Sequence, residues 1–262
     1  MKKGLVYLLS VFMVLSLIGC SNNKETKKSL DPETIYEDAA KKTADLKDMD
    51  GTATMKMVMS QGEETMDISM NMDIKMTGIN TEDMKYICDT KMSMLGTDLD
   101  MKMFYTDGYY YIESLGQKMK YPMDYSAMLD KVNESTMQAT DLSKYMKEIK
   151  ATQEGDNTVV TFQLDGEKMK EYIKDIMSDL GTGIDSGLYS GIEGNVETTI
   201  NKDGYFSDVK MSLVLDMNIE GQAMKMNMDM DMVYNNPGKA VKAIELPDLE
   251  GYTEIDPSEL NQ

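Results

Sequence analysis

Three residue types are absent from this 262-residue chain: histidine, arginine and tryptophan. All 27 basic residues are therefore lysines. Without histidine there is no Ser-His-Asp or Cys-His nucleophile and no imidazole ligand for zinc, and without arginine there is no bidentate clamp for phosphate. The glycine patterns GxGxxG and GxxxxGK[ST], which cradle nucleotides, are also missing. The sequence therefore predicts neither an enzyme nor a bound cofactor.

Cysteine is scarce, with Cys20 and Cys88 as the two examples. If Cys20 is modified, Cys88 has no partner and the chain forms no intramolecular disulfide. Cys88 shares its strand parity with the apolar residues Met84, Tyr86 and Met92. This pattern favours a buried, inert thiol over a reactive one.

Basic residues are also far fewer than acidic residues. The chain carries 46 acidic residues and a net charge of −19. Residues 1–19 contain two lysines and no acid, so their removal leaves −21. Such a surface repels nucleic acid and anionic lipid headgroups alike. We therefore expect no nucleic-acid partner, and any membrane attachment needs a lipid.

The amino terminus, MKKGLVYLLSVFMVLSLIGC, has two lysines, an apolar stretch too short to span a membrane, and a final Gly19-Cys20. Its end resembles a bacterial lipobox, which implies diacylglycerol transfer to Cys20, cleavage before it and an acylated (palmitate-type) amino terminus. The alternative is an ordinary secretory signal that happens to end in cysteine. We predict a signal peptide at 1–19 and a lipidated cysteine with a flexible tether at 20–30. The mature protein would be exported and anchored to the outer face of the cell membrane.

Methionine is abundant: there are 29, and in MKMNMDMDM (224–232) one occupies every second position. Side chains of a strand alternate between its faces, so this pattern predicts a strand with one apolar face. Similar alternation, broken by short glycine-containing turns, predicts eleven strands, at 51–60, 65–78, 82–95, 98–106, 109–115, 118–122, 148–154, 157–164, 193–202, 205–220 and 223–234. The other face is polar, which is typical of an antiparallel meander.

Matching parity across each turn predicts the pairing of neighbouring strands. Four turns predict the pairs Met55–Met70, Tyr105–Tyr110, Ala151–Val160 (with Ile149–Phe162) and Thr198–Val209. Three turns with glycine taken as the first loop residue predict Met92–Met101, Ile112–Tyr121 and Ile219–Met224. A three-residue turn at 79–81 predicts Met76–Met84.

Helices are expected at four places. The first is 31–46, with Asp31 as N-cap and with Ile35, Ala39 and Leu46 facing inward. The others are 124–132, 141–148 and 165–181, and a Gly/Ser loop follows at 181–191.

This element order, together with the lipobox, resembles the LolA, LolB and LppX-like lipoprotein carriers. The resemblance implies a mainly β fold over residues 31–262: an unclosed antiparallel half-barrel of about eleven strands, with helices over its concave face. LolA-type ligand handling uses an arginine, which this chain lacks. The phrases DGYYYIESLGQKMKYP and IELPDLEGY also resemble a family of Met-rich lipoproteins from Gram-positive bacteria.

A curved sheet under a few helices tends to leave a cavity, and unbranched methionine adapts to varied apolar shapes. The sequence therefore predicts binding of an acyl chain or other apolar ligand by methionines of the concave face: Met55, Met57, Met70, Met72, Met101, Met103, Met211, Met217, Met226, Met228 and Met230. Two alternatives stay open. The first is a Cu(I)-binding lipoprotein, because Cu(I) prefers thioether ligands. The second is a structural lipoprotein without a ligand, whose acidic face binds an envelope partner. The row Asn227, Asp229, Asp231 suggests Ca²⁺, but a flat strand does not wrap a cation, so a solvated face is favoured and no metal site is predicted.

We predict that Cys20→Ala releases the processed protein from the membrane fraction, because no other segment of the sequence provides an anchor after signal cleavage. Fractionation followed by immunoblotting measures this, and intact mass verifies processing, because an uncleaved signal could itself hold the chain. A processed form that stays with the membrane would show that the anchor has been misidentified.

Overall fold

The computed structural model describes residues 31–128, 142–171, 189–219 and 221–256. Several predicted segments lie wholly or partly outside these ranges: the signal peptide (1–19), Cys20 and the tether (20–30), parts of the helices expected at 124–132, 141–148 and 165–181, and most of the loop at 181–191.

Helix α1, Pro32–Ala44, begins where the sequence predicts, with Asp31 as N-cap and Pro32 in the first turn. Its buried residues are Tyr36, Ala39 and Ala40. Sequence reasoning missed Tyr36, which is the main contact of the helix. Among the residues described, no helix is long and apolar enough to cross a membrane.

Further helical residues occur at 125–128 and 166–171, and Ser143–Tyr145 form a 3₁₀ turn. Asp165 caps the helix that follows it, since its Oδ1 accepts hydrogen bonds from the backbone N–H of Glu167 (3.2 Å) and Lys168 (3.3 Å). The helix expected at 141–148 is wrong over its last three residues, because a strand already begins at Met146.

Twelve strands, β1 to β12 in chain order, make up the rest: Met49–Gln61, Glu64–Thr77, Lys85–Met94, Thr97–Thr106, Tyr109–Ser114, Gln117–Pro122, Met146–Glu154, Asn157–Leu164, Tyr189–Ile200, Phe206–Ile219, Gln222–Tyr234 and Thr253–Glu254. The eleven predicted strands correspond to β1–β11. The short β12 was not predicted.

The strands form one open sheet in the order β12-β6-β5-β4-β3-β2-β1-β11-β10-β9-β8-β7. All neighbours are antiparallel except β12, which runs parallel to β6. The pairing of β1 with β11 joins the first six strands to the later meander. The predicted fold class, a mainly β, unclosed antiparallel half-barrel, is confirmed, with β12 as an additional edge strand.

Four hairpins have the predicted register: Met55 pairs with Met70, Tyr105 with Tyr110, Ala151 with Val160, and Thr198 with Val209. Three others are shifted by two residues, so that Met92 pairs with Leu99, Ile112 with Met119, and Met217 with Met224. A shift of two residues keeps every side chain on its face. The apolar face is therefore as predicted although these pairs are wrong.

The shifts arise because glycine is the second loop residue and not the first. Leu95 (φ 50°) precedes Gly96 (φ 76°), and Leu115 (φ 52°) precedes Gly116 (φ 76°). Positive φ at both central positions is the type I′ turn, which suits the twist of a hairpin. A leucine in this conformation costs roughly 1–2 kcal/mol, so propensity alone would have placed glycine first.

Two predicted pairs fail for other reasons. Met76 pairs with Tyr86, because the connection from β2 to β3 is longer than three residues and Met84 precedes β3. Ile149 does not pair with Phe162, because β7 contains a register shift between Lys147 and Lys150. Glu148 within this bulge has φ 54°. Such bulges protect an edge strand from pairing with other chains.

Two clusters of buried side chains lie on the apolar face. In the first, the helix cluster, Tyr36 of α1 contacts Phe162 and Phe206, each at a ring-centroid distance of 5.2 Å. The backbone N–H of Phe206 also donates to Thr43 Oγ1 (3.0 Å), which fixes the end of α1 on β10. Helix α1 thereby covers the side of the face formed by β8–β10.

The second, the tyrosine cluster, contains Met76, Met84 and Met128 with Tyr105, Tyr110 and Tyr121. Rings of Tyr110 and Tyr121 lie 5.5 Å apart between centroids. In register, Tyr121, Tyr110, Tyr105 and Tyr86 lie side by side on β6, β5, β4 and β3. This cluster closes the other side of the apolar face.

The opposite, outer face is polar as predicted over most of its area, with Lys56, Asp67, Asn71 and Asp73 exposed. It is not polar throughout. Phe104 and Tyr111 are buried there and stack at 4.5 Å, with the ring of Tyr252 edge-on at 5.7 and 5.0 Å. Tyr252 belongs to the segment after β11, for which the sequence predicts no strand or helix.

Because adjacent residues of β2 lie on opposite faces, an added charge should change the unfolding free energy by very different amounts at Met70 and at Asn71. Met70 is half-buried between Met55 and Met92, so Met70→Asp brings an uncompensated charge into apolar surroundings and should lower the unfolding free energy by about 2–4 kcal/mol. Asn71 is exposed opposite Lys91, so Asn71→Asp should stay within about 0.5 kcal/mol. Urea unfolding measures both. Equal losses would mean that β2 is covered on both sides.

Candidate functional site

The candidate site is a group of methionines on the apolar face between the two clusters. Among the described residues, twelve half-buried methionines belong to neither cluster, but Met119 on β6 and Met232, which pairs with Val209 of the helix cluster, lie apart from the others. The remaining ten are called the methionine strip: Met55, Met57, Met59, Met66, Met70, Met72, Met92, Met101, Met224 and Met226. They lie on β1–β4 and β11. Their common position follows from parity, because each occupies the apolar side of its strand.

Strand pairing aligns methionines across the sheet. Met92, Met70, Met55, Met230 and Met211 are register neighbours on β3, β2, β1, β11 and β10. With neighbouring strands about 4.8 Å apart, these five side chains extend over about 19 Å. Next to this row, Met57 pairs with Met228, and Met59 lies between Met66 and Met226. The result is a continuous row of thioethers in which Met92, Met70 and Met55 belong to the strip, whereas Met230 and Met211 continue into the helix cluster.

The eleven methionines predicted to line a ligand site fall into three groups. Met211 is buried in the helix cluster, and Met228 and Met230 pack against it. Met103 packs against the tyrosine cluster, and Met217 is buried. The remaining six belong to the strip: Met55, Met57, Met70, Met72, Met101 and Met226. Sequence reasoning did not select Met59, Met66, Met92 and Met224, although they share the same parity.

The strip is electrically neutral. Every register neighbour of its ten residues is uncharged, including Ala53, Ile68, Thr90, Leu99 and Leu215. A buried charge without a partner is costly, so these surroundings disfavour an ionised group on the strip. They fit the apolar part of a ligand.

A few polar groups lie beside the strip on β3 and β5. The Sγ atom of Cys88, buried as predicted, is 3.4 Å from Thr90 Oγ1. Burial, with smaller contributions from Cys88 and Tyr110, raises the pKa of Tyr86 far above its ordinary value. Burial likewise raises the pKa of Tyr110, with Tyr121 and Cys88 adding to the effect. These hydroxyls therefore stay neutral at physiological pH, and they provide hydrogen bonds without charge.

The outer face has a different chemistry. A cavity of about 580 Å³ there is lined by residues such as Asp89, Lys91, Asp100 and Lys102, and Lys102 Nζ lies 3.0 Å from Asp89 Oδ1. Exposed ion pairs of this kind are solvated and contribute little to stability. Asp231 has a raised pKa, chiefly through burial and then through Asp208, while Lys210 opposes the shift. Over the described ranges, no three His, Cys, Asp or Glu side chains converge to hold a metal ion.

No curated protein matches the chain. Among solved structures, LprF from Mycobacterium bovis has a TM-score of 0.44 at 13% identity, over 82% of this chain and 96% of that one. Lipovitellin, from work on its lipid–protein interactions, has a TM-score of 0.39 at 8% identity, over 77% of this chain and 26% of that one.

A domain from Vibrio parahaemolyticus that carries the description outer membrane lipoprotein-sorting protein has a TM-score of 0.23 at 10% identity, over 80% of this chain and 95% of that one. The family is established by sequence: a family model covers residues 31–249, and the chain belongs to this family of unknown function, DUF6612.

Proposed function

We propose that the protein is a membrane-anchored extracytoplasmic lipoprotein that binds an acyl chain or another apolar ligand on the methionine strip. The observation that carries this proposal is the contrast between the strip and its flanks. On either side, helix α1 and the tyrosines bury the apolar face, whereas the ten strip methionines remain half-buried with uncharged neighbours. An apolar ligand would complete the burial of this surface.

Methionine suits such a role because its unbranched thioether side chain adjusts to different shapes. The row of Met92, Met70 and Met55 across β3, β2 and β1 would support an extended chain, with Met57, Met59, Met66 and Met226 on one side of it. Since no register neighbour is charged, an ionised end of the ligand would have to lie beyond the strip, in water. The proposed anchor is the acylated Cys20, which the lipobox implies.

Replacing Met55, Met70, Met211, Met226 and Met228 together by leucine should preserve the fold, since this substitution roughly conserves volume. Leucine is branched and stiffer, so we expect thermal stability to be unchanged or higher and the range of bound acyl chains to be narrower. Solvent extraction of noncovalently bound lipid, native mass spectrometry and displacement of a fluorescent fatty acid measure this.

The matched control is the triple variant Met76→Leu, Met84→Leu, Met128→Leu, which alters methionines of the tyrosine cluster and should leave the lipid profile unchanged. If no lipid can be extracted from the wild-type protein and the protein binds no fluorescent fatty acid, the proposed function is wrong. A structural or partner-binding role, in which the acidic outer face meets an envelope protein, would then be favoured.

Strand register also favours one alternative, a thioether site for Cu(I). Met55 lies between Met70 and Met230. On the same three strands, Met59 lies between Met66 and Met226, so two sets of three thioethers could each converge on a soft metal ion. Competition with a Cu(I) chelator tests this. Tight binding that is lost in Met59→Leu/Met66→Leu/Met226→Leu, but retained in the tyrosine-cluster control, would support a metal site.

A further inference from the structure

Two hairpin tips display leucine to solvent. Leu95 between β3 and β4 is 71% exposed, and Leu115 between β5 and β6 is 82% exposed. Met94, which precedes the first of these turns, is 40% exposed. Among all described residues, one other large apolar side chain, Leu249, is exposed. The exposed apolar side chains are therefore concentrated on two neighbouring hairpins.

Neither backbone preference nor packing explains these leucines. Both have positive φ, a conformation that glycine, asparagine and aspartate adopt far more readily than leucine. The turn between β4 and β5, at the opposite end of the sheet, has Asp107 in the same position with φ 52°. Leu95 and Leu115 therefore adopt an unfavourable backbone conformation without the compensation of burial within the fold.

Both tips lie at the same end of the sheet, here named the leucine end and defined by Met94, Leu95 and Leu115. The methionine strip reaches this end. Met94 occupies the apolar side of β3 and is in register with Ile68, which pairs in turn with Met57. Apolar side chains thus continue from the leucine end into the strip.

We propose that the leucine end inserts into the surface of a lipid bilayer and is the point where an apolar ligand passes between the bilayer and the strip. The second part of this inference rests on the proposed function. Two separate side chains on turn tips offer far less area than the ~800 Å² per partner of a stable protein interface. Isolated apolar side chains can, by contrast, enter the boundary between headgroups and acyl chains.

Charge and tether length favour an uncharged bilayer close to the domain. The neighbouring tip between β1 and β2 carries the exposed residues Glu63 and Glu64, and the chain has a net charge of −19, so an anionic surface repels this end. Ten residues separate Cys20 from Asp31, and so short a tether would give the domain a high effective concentration at the membrane that holds an acylated Cys20. At such a high effective concentration, weak insertion by two leucines is sufficient.

The test uses the full mature lipoprotein in phosphatidylcholine vesicles that contain a headgroup-depth spin-label quencher. An environment-sensitive fluorophore is attached at Gln117→Cys, beside Leu115, or at Asp156→Cys, in the exposed turn between β7 and β8 at the opposite end. Both versions carry Cys88→Ala, so that the label has one site. We expect at least threefold stronger quenching of the probe at position 117 than of the probe at position 156.

The decisive variant is Leu95→Asn/Leu115→Asn, because asparagine tolerates positive φ and should leave the melting temperature unchanged or higher. It should reduce quenching at position 117 to the level seen at position 156 while the acylated protein stays on the vesicles. Adding Asp107→Leu to this variant, which puts a leucine at the other end, should not restore quenching. Equal quenching at both ends, no change in the asparagine variant, or stronger quenching on anionic vesicles would each overturn the proposal.

Ligand passage has its own measurement. Transfer of a fluorescent acyl lipid from vesicles to the protein should be about tenfold slower in the asparagine variant, with unchanged affinity for the same lipid in solution. Unchanged transfer would refute the leucine end as the route. If the wild-type protein binds no lipid but the probe at position 117 is quenched, the proposed function fails while the membrane contact stands.

Discussion

The structure depends on one constraint: side chains of a strand alternate between its faces, so every turn must return the chain with its apolar residues on the same side. The hairpins from β1 to β6 and the meander from β8 to β11 satisfy it, and the pairing of β1 with β11 joins the two halves with the same parity. A continuous apolar face results. Helix α1 closes one side of it and the tyrosine cluster the other, which leaves the methionine strip between them.

Alternation is a local signal, and for that reason the strands and their faces could be predicted from sequence alone. Register is less well determined, because a shift of two residues keeps each side chain on its face. At Leu95-Gly96 and Leu115-Gly116 the turn preference for glycine at positive φ pointed to a glycine-first loop, whereas the structure places leucine there. The preference of the individual residue was overridden by the type I′ geometry that fits the twist of the hairpin.

Other features depend on contacts that no local pattern reveals. The run YYYIES has aromatic residues of both parities, and with Phe104 beside Tyr105 this indicates burial on both faces near β5. The residue that covers the outer side, Tyr252, lies in a segment without alternation, so its role could not be inferred. The same limit applies to the site. Met70 and Met76 have the same residue type, strand and parity, and only the neighbouring tyrosines and Met84 make the second of them buried.

Methionine content therefore does not by itself distinguish packing from binding, since the same side chain fills the tyrosine cluster and forms the strip. What distinguishes the strip is half-burial among uncharged neighbours, directly behind an outer face rich in charge, where for example Lys56 pairs in register with Asp229. A half-exposed apolar surface of this size would ordinarily promote association between copies. A net charge of −19 opposes it, because like-charged molecules repel one another. The acidic outer face and the neutral methionine face are thus two parts of one arrangement, in which the first disfavours association between copies and the second would remain free for the proposed apolar ligand.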